Sequence, residues 1–173
     1  MKIPVLRNIF EYSLILLWWL AAMTLFQWWN DHSLLWNIVV ISVCWLKSVF
    51  FGRENITQLY DAARSNLSHH RFLLLMAINM TQMILSFALD FHLLYLIDPN
   101  CFAGVSPEIH SAEAVFDFFY LSTLNFSFFG YSDILPQTVP AKIINLTEIV
   151  LAFITVIFLL SDYVSLKESL RER

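Results

Sequence analysis

Four long apolar blocks dominate this sequence, at residues 10–29, 34–51, 72–97 and 143–160. A helix needs about 20 predominantly apolar residues to cross the hydrocarbon core of a bilayer. Each block is therefore expected to be a transmembrane helix. Composition leads to the same place. Of the 173 residues, 58% are hydrophobic and 14% charged, too little polar surface for a soluble domain of this length. The net charge of −4 comes from both signs and gives no basis for nucleic-acid binding. Cys44 lies in an apolar block and Cys101 in a polar loop, so they read as unpaired thiols. The first block follows Lys2 and Arg7, as a signal peptide would. No small-residue cleavage pattern follows Gln27, Trp28 and Trp29, so this block is expected to remain as a span.

The basic residues orient the spans. Lys2 and Arg7 precede the first. Lys47, Arg53, Arg64 and Arg71 lie at or within the connection between the second and third, and Lys167, Arg171 and Arg173 end the chain. Of the ten basic residues only Lys142 falls on the opposite side, with Asp31, Asp98, Glu108, Glu113, Asp117 and Asp133. Both termini are thus expected to be cytoplasmic, in a multi-pass protein of a plasma or inner membrane. Within the cytoplasmic linker, residues 52–71, the spacing of Ile56, Leu59, Tyr60, Ala63 and Leu67 predicts an amphipathic helix, read most simply as an extension of the third span at the headgroups.

The outer segment, residues 98–142, is not uniformly polar. A loop rich in turn residues comes first. Residues 112–129 are then apolar and aromatic, and Gly130, Pro136 and Pro140 follow as helix breakers. An apolar helix too short to cross, with both ends on one side, is a re-entrant segment. Irregular backbone at that depth is tolerated only inside protein or along a water-filled path.

Residues 116–136 have a recognisable order: Phe116 and Asp117 open the helix, Tyr120 and Ser122 lie within it, and Gly130, Tyr131, Asp133, Ile134 and Pro136 follow it. This order resembles the pore helix and filter of the tetrameric potassium-channel superfamily, and the flanking spans resemble its two-helix pore unit. The resemblance covers about the last 100 residues. It implies an all-α membrane protein of four transmembrane helices and a re-entrant pore helix, assembled as a homotetramer. Residues 1–71 would hold two helices and the linker, and residues 72–173 the pore unit. It also implies a filter formed by Ser127, Phe128, Phe129, Gly130, Tyr131, Ser132 and Asp133, supported by Asp117, Tyr120 and Ser122.

In the family, carbonyls of a T-V-G-Y-G strand replace the ion's hydration shell. Here Phe128 and Phe129 stand for the threonine and valine, and Ser132 for the second glycine. Asn125 and Ser127 stand where small hydroxyl residues are usual. A left-handed conformation at Ser132 would cost on the order of 1–2 kcal/mol per subunit, and a ring of Phe128 side chains could close a pore by dewetting. The function implied is a cation channel whose filter is not strictly potassium-selective, holding monovalent cations and no other cofactor.

The alternative is a non-conducting channel-like scaffold or sensor subunit. It would recruit a cytoplasmic protein partner through the linker and C-terminal tail, as in a bacterial stress or phage-defence complex.

Asp90 and Glu148 stand at similar depth in the third and fourth spans, where an ionisable group is a functional candidate. They could pair with each other, with pore-helix hydroxyls or across a subunit interface, and two roles are open: structural hydrogen bonding with one carboxyl protonated, or conduction or proton sensing. His92 reads as a packing partner. No nucleophile–base pair, phosphate loop or metal-ligand spacing is present, so no enzymatic activity is expected.

Overall fold

A computed structural model describes the backbone of residues 5–28, 33–64, 69–105, 111–130 and 132–171. The chain is all-α. Among the described residues five α-helices run in order: α1 (Val5–Trp28), α2 (Ser33–Arg64), α3 (His69–Ile97), α4 (Ser111–Phe126) and α5 (Val139–Arg171). Three apolar stretches among the described residues are long enough to span a membrane: Leu34–Glu54 on α2, Leu73–Ile97 on α3 and Val139–Ile157 on α5. They agree with three of the apolar blocks to within a few residues. The fourth, on α1, is a shorter apolar run, Phe10–Phe26.

α3 is the hub, touching α1, α2, α4 and α5. Every residue from Ser86 to Leu94 is buried, so this part of the helix is enclosed all round. α2 and α5 bury only one side. Leu35, Ile38, Trp45, Leu46 and Val49 of α2, and Leu146, Val150, Phe153 and Ile157 of α5, are exposed. Apolar faces this large suit lipid or another subunit rather than water.

α2 does not stop at Gly52. It continues as one helix to Arg64, and α3 begins only at His69. The linker helix predicted from sequence is therefore an extension of the second span, not of the third. An added Cβ on Gly52 would meet only Leu151 Cδ1, at 3.8 Å, so packing at this glycine leaves the helix room to pass through.

α4 presents a single face to the core: Ala114, Phe118, Leu121, Ser122 and Phe126, at helical spacing. Phe118 is completely buried, with ring centroids 4.9 Å from Phe102, 5.7 Å from Tyr95 and 6.3 Å from Phe91, all tilted as aromatic quadrupoles prefer. The opposite face, including Phe116, Tyr120 and Thr123, is exposed.

The loops flanking α4 are strapped together, which the sequence did not suggest. After a single 3-10 turn, Pro99–Cys101, strand β1 (Phe102–Ala103) pairs antiparallel with β2 (Leu135–Pro136). Asp98 caps the turn by accepting from the Asn100 amide at 3.0 Å, and the Gln137 amide donates to the Cys101 carbonyl at 2.8 Å. Gly104 makes this closeness possible. Its φ is +89°, and a Cβ there would lie 2.0 Å from the Asp133 carbonyl oxygen.

Candidate functional site

The turn that ends α4 is a Schellman motif. The Phe129 amide donates to the Leu124 carbonyl at 3.2 Å and the Phe128 amide to the Asn125 carbonyl at 3.2 Å. The residue at C′ must then be left-handed, and Phe128 has φ +55°. Glycine usually fills that place; a side chain there costs on the order of 1–2 kcal/mol. The first glycine available, Gly130 (φ +63°), comes two residues late. The strain anticipated at Ser132 therefore falls on Phe128. Ser132 instead accepts a bond from the Ile134 amide at 3.0 Å through its own hydroxyl.

The other filter positions are spread over this turn. Phe128, half-exposed, meets Phe153 of α5 edge to face with centroids 6.3 Å apart. Phe129 is 77% exposed, among the most exposed aromatic side chains described. Ser127 bonds the Leu124 carbonyl, and Asp133 is exposed. Tyr131 lies outside the described residues. Asp117 and Tyr120 lie off the core face of α4. Partial burial, and then the nearby Glu113 charge, raise the Asp117 carboxyl above its usual range.

Behind the turn is a buried polar cluster. The Asn125 side-chain amide donates to Glu148 Oε2 at 2.5 Å and to Asn145 Oδ1 at 2.9 Å. The Ser122 hydroxyl sits between Glu148 Oε1 and the Ile84 carbonyl, the latter at 2.9 Å. Glu148 and Ser122 are both inaccessible to solvent. The cluster joins α3, α4 and α5, and Asn145 was not among the residues singled out from sequence. Its signal was available: it stands three residues before Glu148 and hence on the same helical face.

Asp90 lies elsewhere. No hydrogen bond joins it to Glu148 or to α4 among the described residues, and its charge acts on Glu148 only through space. Its Oδ1 accepts from Lys47 Nζ of α2 at 2.7 Å, and the Cys44 thiol lies alongside. Asp90 Oδ2 makes no conventional hydrogen bond. Lys47, counted above with the cytoplasmic linker, is thus well inside α2, about 25 Å of helix before Arg64.

Two further polar side chains on α3 bind α1. Gln82 donates to Glu11 at 3.2 Å. Trp19 donates to His92 Nδ1 at 3.4 Å, and His92 also meets the edge of Phe118. α1, α2 and α4 are thus each joined to α3 by a polar link, and α5 is joined to it through α4. No group of side chains that could hold a metal ion is found among the described residues.

Depth follows from the contacts. Phe118 packs beside Tyr95 and Phe91, near the end of α3, whereas Ser122 reaches Ile84, about 20 Å of helix before Ile97. α4 thus descends along α3 from the strapped loops, and its C-terminus lies deepest. No protein family, curated protein or solved structure matches the chain.

Proposed function

We propose that this chain is one subunit of a homotetrameric pore-loop cation channel in which α4 is the pore helix and residues 127–133 line an altered filter. The observation that carries this reading is the descent of α4 between α3 and α5, with its C-terminus deepest and its return loop strapped to its entry loop. A helix C-terminus carries partial negative charge, and aimed into the membrane it favours a cation there. The exposed face of α4, with Phe116 and Tyr120, and the exposed face of α5 would meet neighbouring subunits. Monovalent cations are the permeant species, without strict potassium selectivity. α1 and α2 stand outside the ring as two further spans, with both termini cytoplasmic in a plasma or inner membrane.

The test is cation flux through purified protein reconstituted in planar bilayers. Current with a permeability ratio near one for sodium and potassium supports the reading. Silence in the native chain and in Phe128→Thr/Phe129→Val overturns it.

One observation favours a second reading. The backbone at Phe128 is a helix cap and not an extended strand, so its carbonyls are not arrayed as a filter within one subunit. In that reading the chain is a non-conducting membrane scaffold that recruits a cytoplasmic protein. Silent bilayers together with a stoichiometric cytoplasmic partner on purification would select it.

A further inference from the structure

The cluster at Glu148 holds more acceptors than an ionised carboxylate can share. Ser122 has one hydroxyl proton but contacts two oxygens, Glu148 Oε1 and the Ile84 carbonyl. If Glu148 is ionised, Ser122 must give its proton to one of them, and the other contact is oxygen against oxygen. If Glu148 carries a proton on Oε1, every contact is a bond. Glu148 donates to Ser122, Ser122 donates to Ile84, and Asn125 donates one amide proton to Glu148 Oε2 and the other to Asn145.

The surroundings favour the same occupancy. Glu148 is fully buried. α4 offers it Ser122 and Asn125 and α5 offers Asn145, all uncharged. The charge that acts on it is Asp90 of α3, of like sign and already engaged by Lys47 of α2. No cation contacts Glu148 among the described residues, in contrast to Asp90.

We propose that Glu148 is a proton-binding site whose bound proton fastens α4 to α3 and sets the Phe128 turn. Release of the proton to solvent leaves a carboxylate, and the Ser122 hydroxyl, still protonated, turns its hydrogen bond from the Ile84 carbonyl to Glu148 Oε1. The bond from Ser122 to Ile84 is lost, and α4 stays tied at this point to α5 alone. Asn125 transmits the change. Its side chain bonds Glu148, and its carbonyl accepts the Phe128 amide that closes the turn. Alkaline pH thus loosens the turn that ends α4. The consequence for current rests on the channel reading, but the proton site does not.

Infrared spectroscopy of the reconstituted full chain tests the site directly. At neutral pH the native protein should show the carbonyl stretch of an un-ionised carboxylic acid, lost in Glu148→Gln and kept in Glu113→Gln, whose side chain is exposed. Raising the pH should bleach that band. A spectrum unchanged by Glu148→Gln shows Glu148 ionised and overturns the proposal. Should that variant not fold, Ser122→Ala keeps the carboxyl and must shift the band; no shift overturns it equally.

The coupling has its own readout. A fluorophore on Phe129→Cys, with Cys44 and Cys101 buried, should change emission with rising pH. The change should disappear when Glu148→Gln is added. An identical response in both proteins removes the link to the turn. Neither readout needs ion flux, so silent bilayers with a positive infrared result would remove the channel and leave the proton site standing.

Discussion

Asp90 and Glu148 are the most deeply buried carboxyl groups among the described residues, and they are held in opposite ways. Asp90 faces an ammonium 2.7 Å away. Glu148 faces a hydroxyl and an amide. An ion pair in a low-dielectric setting is neutral overall, but each member depends on the other's charge, so loss of one leaves a buried charge without compensation. A carboxyl among neutral donors and acceptors depends on where the hydrogens are, not on charge. The same residue class therefore does different work one helix apart: α2 is joined to α3 by charge, whereas α4 and α5 are joined to it by a hydrogen-bond chain.

Neutral isosteres separate the two most sharply. Asp90→Asn keeps the shape and strands Lys47, and should cost about 3–5 kcal/mol, read as a lower midpoint of thermal unfolding in detergent. The double variant Lys47→Met/Asp90→Leu should recover most of that loss, because removing both charges removes the need for compensation. Glu148→Gln, which can still donate to Ser122 and accept from Asn125, should cost under about 1 kcal/mol by the same measurement. Equal losses in the two isosteres would break the distinction.

Ser122→Ala tests the chain of hydrogen bonds. It leaves Glu148 Oε1 without its partner and should cost about 1–3 kcal/mol, less than Asp90→Asn, with the Lys47–Asp90 pair intact. A smaller and more local effect is expected from Gly104→Ala. The new methyl collides with the Asp133 carbonyl and φ is positive, so the strap should open at a cost of about 1–2 kcal/mol. Faster amide exchange at Gln137 and nearby strap residues would show it, while the α2–α3 side stays protected. Loss of protection on both sides would mean that the two centres are not independent.

The smallest effect is chemical and leaves stability alone. Burial, and then the nearby Asp98 charge, push the Cys101 thiol up to about 12. At pH 8 the thiol is almost wholly un-ionised, and the thiolate is the nucleophile, so a thiolate-directed alkylating reagent should scarcely label the folded chain until the pH is strongly alkaline. Opening the strap by Gly104→Ala should speed labelling at Cys101. Unchanged labelling would mean that the strap does not cover it.

Much of the fold was legible because its signals are local. Apolar runs mark three helices long and apolar enough to span a membrane and a shorter apolar helix, and the aromatic run before Gly130 marks α4 to within a few residues. The candidate site was legible in part. Ser122 and Glu148 stood out as a pore-helix hydroxyl and an intramembrane carboxyl, one of the three pairings left open. Asn145 and Lys47 did not stand out. Lys47 was counted as a boundary charge because charge patterning is read along the chain. Its partner lies 43 residues away on another helix.

By itself, the sequence determined that the chain is a bundle of apolar helices with a short aromatic helix between its last two spans, because hydropathy and helix breakers act within a single segment. The tertiary structure alone decided that α2 runs on to Arg64, that the left-handed strain falls on Phe128, and that Asp90 meets a cation while Glu148 meets a hydroxyl and an amide. These outcomes depend on how each helix is rotated and offset against α3. Rotation and offset are set by packing across many residues at once, and no single stretch of sequence encodes them.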